Sequence, residues 1–308
     1  MPRHLLTGNE LTRDELGALL DRALELKADP RASRALAGRH VALLFEKPST
    51  RTRVTFEVGV RELGGDAVVL RADELQLSRG ESPRDTALVL SRHVAAIGVR
   101  TGPDAVLEEL ASYSAVPVFN MLTEGHHPCQ VLADLLTLRE AFGRLEGLTL
   151  AYVGDGNNVA RSLALIGSLA GVRVRIASPP GYALQAPAGD AVITSDPREA
   201  VQGADAVYTD VWVSMSDDPE SATARRKGLE PYRLDDRLLD LAAPGAIALH
   251  CLPAHPGEEI TADVLYGPRQ RIWDQAENRR HAQKALLELL VSPANRSTFG
   301  PASATLET

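Results

Sequence analysis

The sequence predicts an α/β protein of two doubly wound parallel-sheet domains, and three observations carry that expectation. Apolar runs of strand length fall at 41–45, 66–70, 95–99, 115–119, 148–153, 172–177, 205–209 and 246–250. Helical stretches lie between most of them, notably 84–93, 127–142 and 158–170, the alternation of parallel strands covered on both faces. The chain of 308 residues is long enough for about two domains, each burying its own core.

The elements follow in order. Thr12-Arg13-Asp14-Glu15 is a capping-box pattern opening an amphipathic helix that Pro30 ends. Segment 51–64 is ambiguous. Val54, Phe56, Val58 and Val60 alternate as in a strand, whereas Phe56, Val60 and Leu63 fit one helix face, with Gly64-Gly65 as its cap. The hinge should lie near helix 127–142, before "EGLTLAYVGDG" starts a new strand. A last helix, about 276–291, precedes a polar segment, 292–308, whose composition reads as disordered. There are no internal repeats.

Composition narrows the function. Hydrophobic residues at 44% and charged residues at 24% are ordinary for a soluble domain. A net charge of −8 argues against a nucleic-acid partner but leaves room for a small anion, which needs only a local cluster of cations. No apolar run reads as a signal peptide or reaches the roughly 20 residues of a membrane span. The two cysteines, Cys129 and Cys251, make no disulfide framework, so a cytoplasmic location is expected.

The anion cluster is "FEKPSTRTR", residues 45–53, where an apolar strand ends in Lys47, Ser49, Thr50, Arg51, Thr52 and Arg53. If 51–64 is a helix, Ser49 to Thr52 lie at its N-terminus, where free N–H groups and the helix dipole suit a phosphate. The bland alternative is a solvated loop that begins with an N-cap. The Gly-x4-Gly-Lys spacing of a Walker loop is absent. Other polar groups also follow strands: Arg100 in "IGVRT", His127 and Gln130 in "HHPCQ", then "DVWVSM" and "LHCLPAH". Polar residues repeated at strand ends suggest an active-site rim.

Taken together, "FEKPSTRTR", "HPCQVLADLLTLRE", "GDGNN", "TDVWVSM", "HCLPAH" and "DQAENRRHAQKALL" resemble the ordered motifs of ornithine carbamoyltransferases, over about residues 4–291. The resemblance implies a carbamoyl phosphate-binding domain (1–135), an ornithine-binding domain (136–275), and a C-terminal helix (276–291) returning to the first. It also implies a homotrimer and a helical start for 51–64. By the same resemblance Ser49, Thr50, Arg51 and Thr52 would hold phosphate, with Arg100, His127, Gln130 and Arg279 around the carbamoyl group. Gln76 resembles a residue lent to the neighbouring subunit. Asn158, Asp210, Ser214 and Met215 would bind the amino-acid end of ornithine, with Cys251 and Leu252 at its side-chain amine. That amine, with a pKa of roughly 10 in water, must lose a proton before attack, and Cys251 with Asp210 is the candidate acceptor. No metal or cofactor is required.

Two departures from the family pattern stand out. Ser216 occupies the position of a usual glycine after Ser214-Met215, in a loop expected to close over ornithine. The stretch 178–197 is short of the helix that usually precedes the strand near Val192, which should thin one face of the ornithine domain. Rival readings fare worse. In "GDGNNVA" Val159 replaces the third glycine of a dinucleotide fingerprint, and the next strand ends in Ser178 without an acidic residue for a ribose. His126, His127, Cys129, His250, Cys251 and His255 lack the paired spacing of a zinc motif. A catalytically inert binding protein is disfavoured because every matched position is filled.

Overall fold

Strand β1 (His40–Phe45) is buried along nearly its whole length and pairs in parallel with β2 (Asp66–Arg71) and β3 (Ala96–Arg100); β3 pairs with β4 (Val118–Leu122). The first sheet thus has the order β2-β1-β3-β4. In the second, β5 (Thr149–Val153) is flanked by β6 (Arg173–Ala177) and then β7 (Val192–Thr194) on one side. On its other side are β8 (Ala206–Thr209) and β9 (Ile247–His250), giving β7-β6-β5-β8-β9, again all parallel. The computed structural model describes residues 2–184, 189–213 and 219–292.

Helices α1 (Arg13–Ala28), α2 (Thr50–Glu62), α3 (Pro83–Leu90) and α4 (Asp104–Tyr113) serve the first sheet. After α5 (Pro128–Phe142), the second sheet carries α6 (Asn158–Leu169), α7 (Pro197–Val201), α8 (Pro219–Leu229), α9 (Asp236–Leu239) and α10 (Ala262–Leu265). The last helix, α11 (Ile272–Val291), packs on α5, α1 and α2, so the chain returns to its first sheet. Among the described residues no helix is long and apolar enough to cross a membrane.

Local chemistry accounts for most of these elements. The capping box of α1 forms, Thr12 accepting from Glu15 N while the Glu15 carboxylate accepts from Thr12 N. The ambiguous segment is helical: Ser49 caps α2, Phe56 and Val60 face the core, and Gly64 turns the chain out at φ 83°. The run placed at 115–119 is a strand at Val118–Leu122. Pro117 has no N–H to pair, and the polar Asn120 that hides the later half is buried with its amide donating to Leu6 O (2.8 Å) and Thr123 Oγ1 (3.0 Å). Helix α11 starts at Ile272 rather than 276 because its first turn buries Ile272 and Gln275. Residues described between Ala177 and Val192 form no helix, and Val192 and Ile193 are exposed there on the short edge strand β7.

Helix α11 buries an unusual set of polar groups: Gln275, Asn278, Arg279, His281, Gln283 and Lys284. Most have partners on the helices beneath. Lys284 Nζ donates to Leu26 O (3.1 Å), Pro30 O (3.2 Å) and Glu62 Oε2 (2.6 Å), tying α11 to α1 and α2. Removing the carboxylate would leave a buried ammonium with carbonyls alone. Glu62→Ala should therefore destabilise the fold by about 2–3 kcal/mol, somewhat below the usual cost of breaking a fully buried pair. Urea unfolding at fixed protein concentration measures it, and a change within the scatter of surface substitutions would show the pair to be dispensable.

Candidate active site

The two sheets each reverse their strand order beside their first strand, and polar residues gather at both reversals. In the first sheet the crevice opens where β1 and β3 end, Phe45 being paired with Arg100. Ser49 caps α2 just beyond β1. Its hydroxyl accepts from Thr52 N (3.3 Å) and lies 3.0 Å from Thr52 Oγ1. Arg279, buried on α11, donates from Nη2 to Thr52 Oγ1 (2.8 Å) and from Nη1 to Gln130 Oε1 (2.7 Å). His127 is the N-cap residue of α5, with Pro128 at a favoured first-turn position, and its N–H is held by Ser162 Oγ (2.8 Å).

This cradle carries more positive charge than it neutralises. Burial, then Arg279, then Arg51 lower the Arg100 guanidinium to about 10. Burial lowers Arg279 as well, and Arg51 pushes the same way. His127, wholly enclosed and facing Arg279 and Arg100, is held well below the usual histidine range by burial first, so its imidazole is neutral. Arg100 Nε, Arg279 Nε and His127 Nδ1 are buried without hydrogen-bond partners. Buried donors around uncompensated cations suit a dianion that accepts from several sides. Lys47 and Arg53 stand outside the cradle: Lys47 reaches Glu124 (3.5 Å) and Arg53 pairs with Glu57 (2.6 Å) in solvent. Those two belong to the solvated surface, Lys47 before the helix and Arg53 on α2.

At the second reversal, β5 and β8 end side by side. Asn157 caps α6, its Oδ1 accepting from Val159 N (2.9 Å) and Ala160 N (3.1 Å), while its Nδ2 donates to Asp210 Oδ2 (2.7 Å). Asp210 Oδ1 also receives Val211 N (2.8 Å) and the Cys251 thiol (2.8 Å). Burial first, then the Asp210 charge and hydrogen bond, hold Cys251 well above the usual thiol range, so the sulfur is protonated at neutral pH. Arg100 and Arg279 lie within electrostatic reach of Cys251, so the thiol and the cationic cradle share one region. Asn158 turns toward the first domain and donates to Thr123 O (2.6 Å).

The loop bearing Cys251 is fixed from behind. Leu252, at φ 62° and followed by a cis bond to Pro253, donates its N–H to His250 Nδ1 (2.8 Å). A leucine in the left-handed region costs of order 1–3 kcal/mol and persists only where its surroundings enforce it. His250 Nε2 meets the buried Glu259 (3.1 Å), which also accepts from His255 N (2.5 Å). Ligand atoms of Asp210, His250 and Cys251 lie within 4.8 Å of one another, a grouping the sequence spacing did not suggest. Both ring nitrogens of His250 are engaged, however, Nδ1 accepting from Leu252 N–H and Nε2 facing Glu259, so the imidazole has no free lone pair for a metal. Another such group, His255, Glu258 and Glu259, lies behind the loop. Nor is "GDGNN" shaped for a dinucleotide. A Cβ on Gly156 would fall 2.4 Å from Leu184 N, so this glycine makes room for the chain's own backbone.

The structure thus brings Ser49, Arg51, Thr52, Arg100, His127, Gln130, Arg279, Asp210 and Cys251 into one region, with Leu252 adjoining. Thr50 opens α2 at the surface. Gln76 lies exposed in a 3-10 turn, Gln76–Arg79. Ser214, Met215 and Ser216, and the tail from 293, fall outside the described residues. Sequence reading passed over Asn157, Asp134 and Gln275. The spacing of Gln130 and Asp134, four apart on one helix face, was the available signal.

Comparison with known proteins now gives this arrangement a family. Residues 3–140 match the carbamoyl-P binding domain, and residues 146–290 the Asp/Orn binding domain, of aspartate/ornithine carbamoyltransferase. An ornithine carbamoyltransferase of Acidothermus cellulolyticus is 54% identical over 307 residues, covering 96% of this chain and 98% of its own. One from Parafrankia is 53% identical over 305 residues, covering 94% and 96%. The solved structure of the ornithine carbamoyltransferase from Pyrococcus furiosus superposes with a TM-score of 0.89 at 44% identity, covering 95% of this chain and 98% of that one. The chain belongs to the aspartate/ornithine carbamoyltransferase family.

Asp134 offers a test of the site's electrostatics. Burial pushes its carboxyl up to about 7, against the opposing pull of Gln130, Gln275 and Arg279. In the unfolded chain it titrates near ~4. The native state therefore holds the proton more tightly, and this contribution to stability is complete below ~4 and lost as pH rises through about 7. Asp134→Asn lacks it. Wild type should lose roughly 2 kcal/mol relative to the variant between pH 5 and pH 7, with little further change above about pH 8. Urea midpoints across that range measure the difference; a pH-independent gap would mean the carboxyl titrates alike in both states.

Proposed function

We propose that this protein transfers the carbamoyl group of carbamoyl phosphate to the side-chain amine of L-ornithine, giving L-citrulline and phosphate. The observation that carries the reading is the meeting of an uncompensated three-guanidinium cradle, Arg51, Arg100 and Arg279, with the Asp210–Cys251 pair. The first half suits a phosphate leaving group and the second suits an amine that must shed a proton. The names of the relatives point the same way.

Ser49, Thr50, Arg51 and Thr52 receive the phosphate at the N-terminus of α2. Arg100, neutral His127, Gln130 and Arg279 surround the carbamoyl oxygen and nitrogen, where donors aimed at developing negative charge are worth several kcal/mol. Asn158, Asp210, Ser214 and Met215 take the amino-acid end of ornithine. Cys251 and Leu252 lie by the amine and carbamoyl group. The amine nitrogen attacks the carbonyl carbon, the bond to the phosphate oxygen breaks, and phosphate departs with the electron pair. The proton passes to the Asp210–Cys251 pair, of which the carboxylate is the basic member because the thiol already carries its proton. This chemistry calls on no metal or cofactor.

The enzyme works as a homotrimer in the cytoplasm, with the carbamoyl phosphate-binding domain at 1–135, the ornithine-binding domain at 136–275 and the helix 276–291 packed on the first. Two free cysteines fit a reducing compartment. The exposed Gln76 reaches the neighbouring subunit's pocket, which its place in a polar surface turn favours.

A panel of amines offered with carbamoyl phosphate tests the acceptor. Ornithine should exceed putrescine in kcat/KM by at least about a hundredfold, the worth of a few charged hydrogen bonds to its α-amino and carboxylate groups, and aspartate should not react. Equal rates with putrescine would remove the ornithine assignment. Subunit sharing is tested by complementation between Arg51→Ala and Gln76→Ala proteins, each inactive alone. About three quarters of randomly reassembled trimers are mixed, and each regains one site of three, so about a quarter of sites should recover. No recovery despite proven exchange would confine Gln76 to its own subunit's site or to none.

A further inference from the structure

Asp134 is fully buried in the middle of α5, and the proposed chemistry gives it no role. Its Oδ1 accepts two amides at once, Gln130 Nε2 at 2.8 Å and Gln275 Nε2 at 2.7 Å. Those donations decide which way each glutamine faces. With Nε2 committed to Asp134, Gln130 must turn Oε1 to Arg279, whose other nitrogen reaches Thr52 in the anion cradle. Gln275 likewise must turn Oε1 to the N–H of His250 (2.9 Å), the residue before Cys251. A continuous path therefore runs Thr52–Arg279–Gln130–Asp134–Gln275–His250–Cys251, from the end of the first sheet to the end of the second.

We infer that Asp134 is a positioning residue which, through the two glutamine amides, registers the anion cradle on one domain to the thiol-bearing loop on the other. The inference takes cradle and thiol to be two halves of one carbamoyl-transfer site, as proposed above. The physical reason is the single shared acceptor. Flipping either amide would set a carbonyl oxygen against Asp134 and a second donor against Arg279 or His250 N–H, leaving buried groups unpaired on both sides. An apolar residue at 134 removes that bias and frees both amides together. An asparagine can keep the Oδ1 acceptor and turn its NH2 toward the Tyr208 hydroxyl, which bears on the Asp134 carboxyl and can accept a hydrogen bond.

The experiment compares Asp134→Leu, Asp134→Asn and Gln275→Leu in the full chain. It reads inorganic phosphate affinity by calorimetry, the iodoacetamide alkylation rate of Cys251 by peptide mass spectrometry, and kcat. Asp134→Leu should weaken phosphate at least about fivefold, alter Cys251 alkylation at least about fivefold, and lower kcat at least about a hundredfold. Asp134→Asn should stay within about threefold of wild type on all three, and Gln275→Leu should move the thiol while sparing phosphate. A folded Asp134→Leu protein within twofold of wild type on phosphate and thiol overturns the inference, as does an Asp134→Asn protein equally impaired. Should Asp134→Leu not fold, Gln275→Leu decides: unchanged Cys251 alkylation overturns it. Phosphate binding and alkylation need no turnover, so a wild-type chain that makes no citrulline would sink the transfer reading separately.

Discussion

The buried polar seam between α5 and α11 is the constraint on which the rest of the structure depends. A helix from the middle of the chain and the last helix meet through Gln130, Asp134, Thr137, Gln275, Asn278 and Arg279 rather than through aliphatic packing alone. A hydrophobic contact tolerates sliding, whereas a set of buried hydrogen bonds is satisfied in one register only and costs heavily in any other. That register delivers Arg279 to Thr52 and Gln275 to His250. The C-terminal helix is therefore a part of the site as much as a clasp between domains.

The site's charge balance follows from where the seam puts its cations. Arg100 and Arg279 sit where burial and neighbouring guanidiniums oppose their charge, while His127 stays neutral and Cys251 stays protonated. A dianion entering this cradle would relieve the repulsion, so part of the cost of assembling the cradle is recovered on binding. The thiol–carboxylate pair lies at the edge of the same field. A neutral imidazole and a neutral thiol add donors there without adding to the repulsion.

Much of this was legible in the chain. Ser49 and Thr12 as caps, Pro128 in the first turn of α5, and polar residues clustered after strands are local features, fixed by backbone geometry within a few residues. The helix-or-strand ambiguity at 51–64 was not soluble locally, because Phe56 and Val60 satisfy both periods; burial against the first sheet and α11 chose the helix. The strand at Val118–Leu122 was misplaced by three residues because a buried asparagine with long-range partners looks like the end of an apolar run. Lys47 and Arg53, indistinguishable from Arg51 in the string, face solvent partners.

What the sequence by itself determined was the alternation that builds two parallel sheets, the caps that begin their helices, and the residue types that a phosphate and an amine require. The tertiary structure alone decided which of those residues meet. Asp210 and Cys251 are far apart in the chain yet share a hydrogen bond, and Asp134 gathers amides from α5 and α11. Such contacts depend on how sheets and helices stack, and on desolvation that exists only once the interior has closed. A carboxyl pushed up to about 7, an imidazole held well below the usual histidine range and a thiol held well above its own are properties of that closed interior, whereas the open chain titrates near the ordinary values.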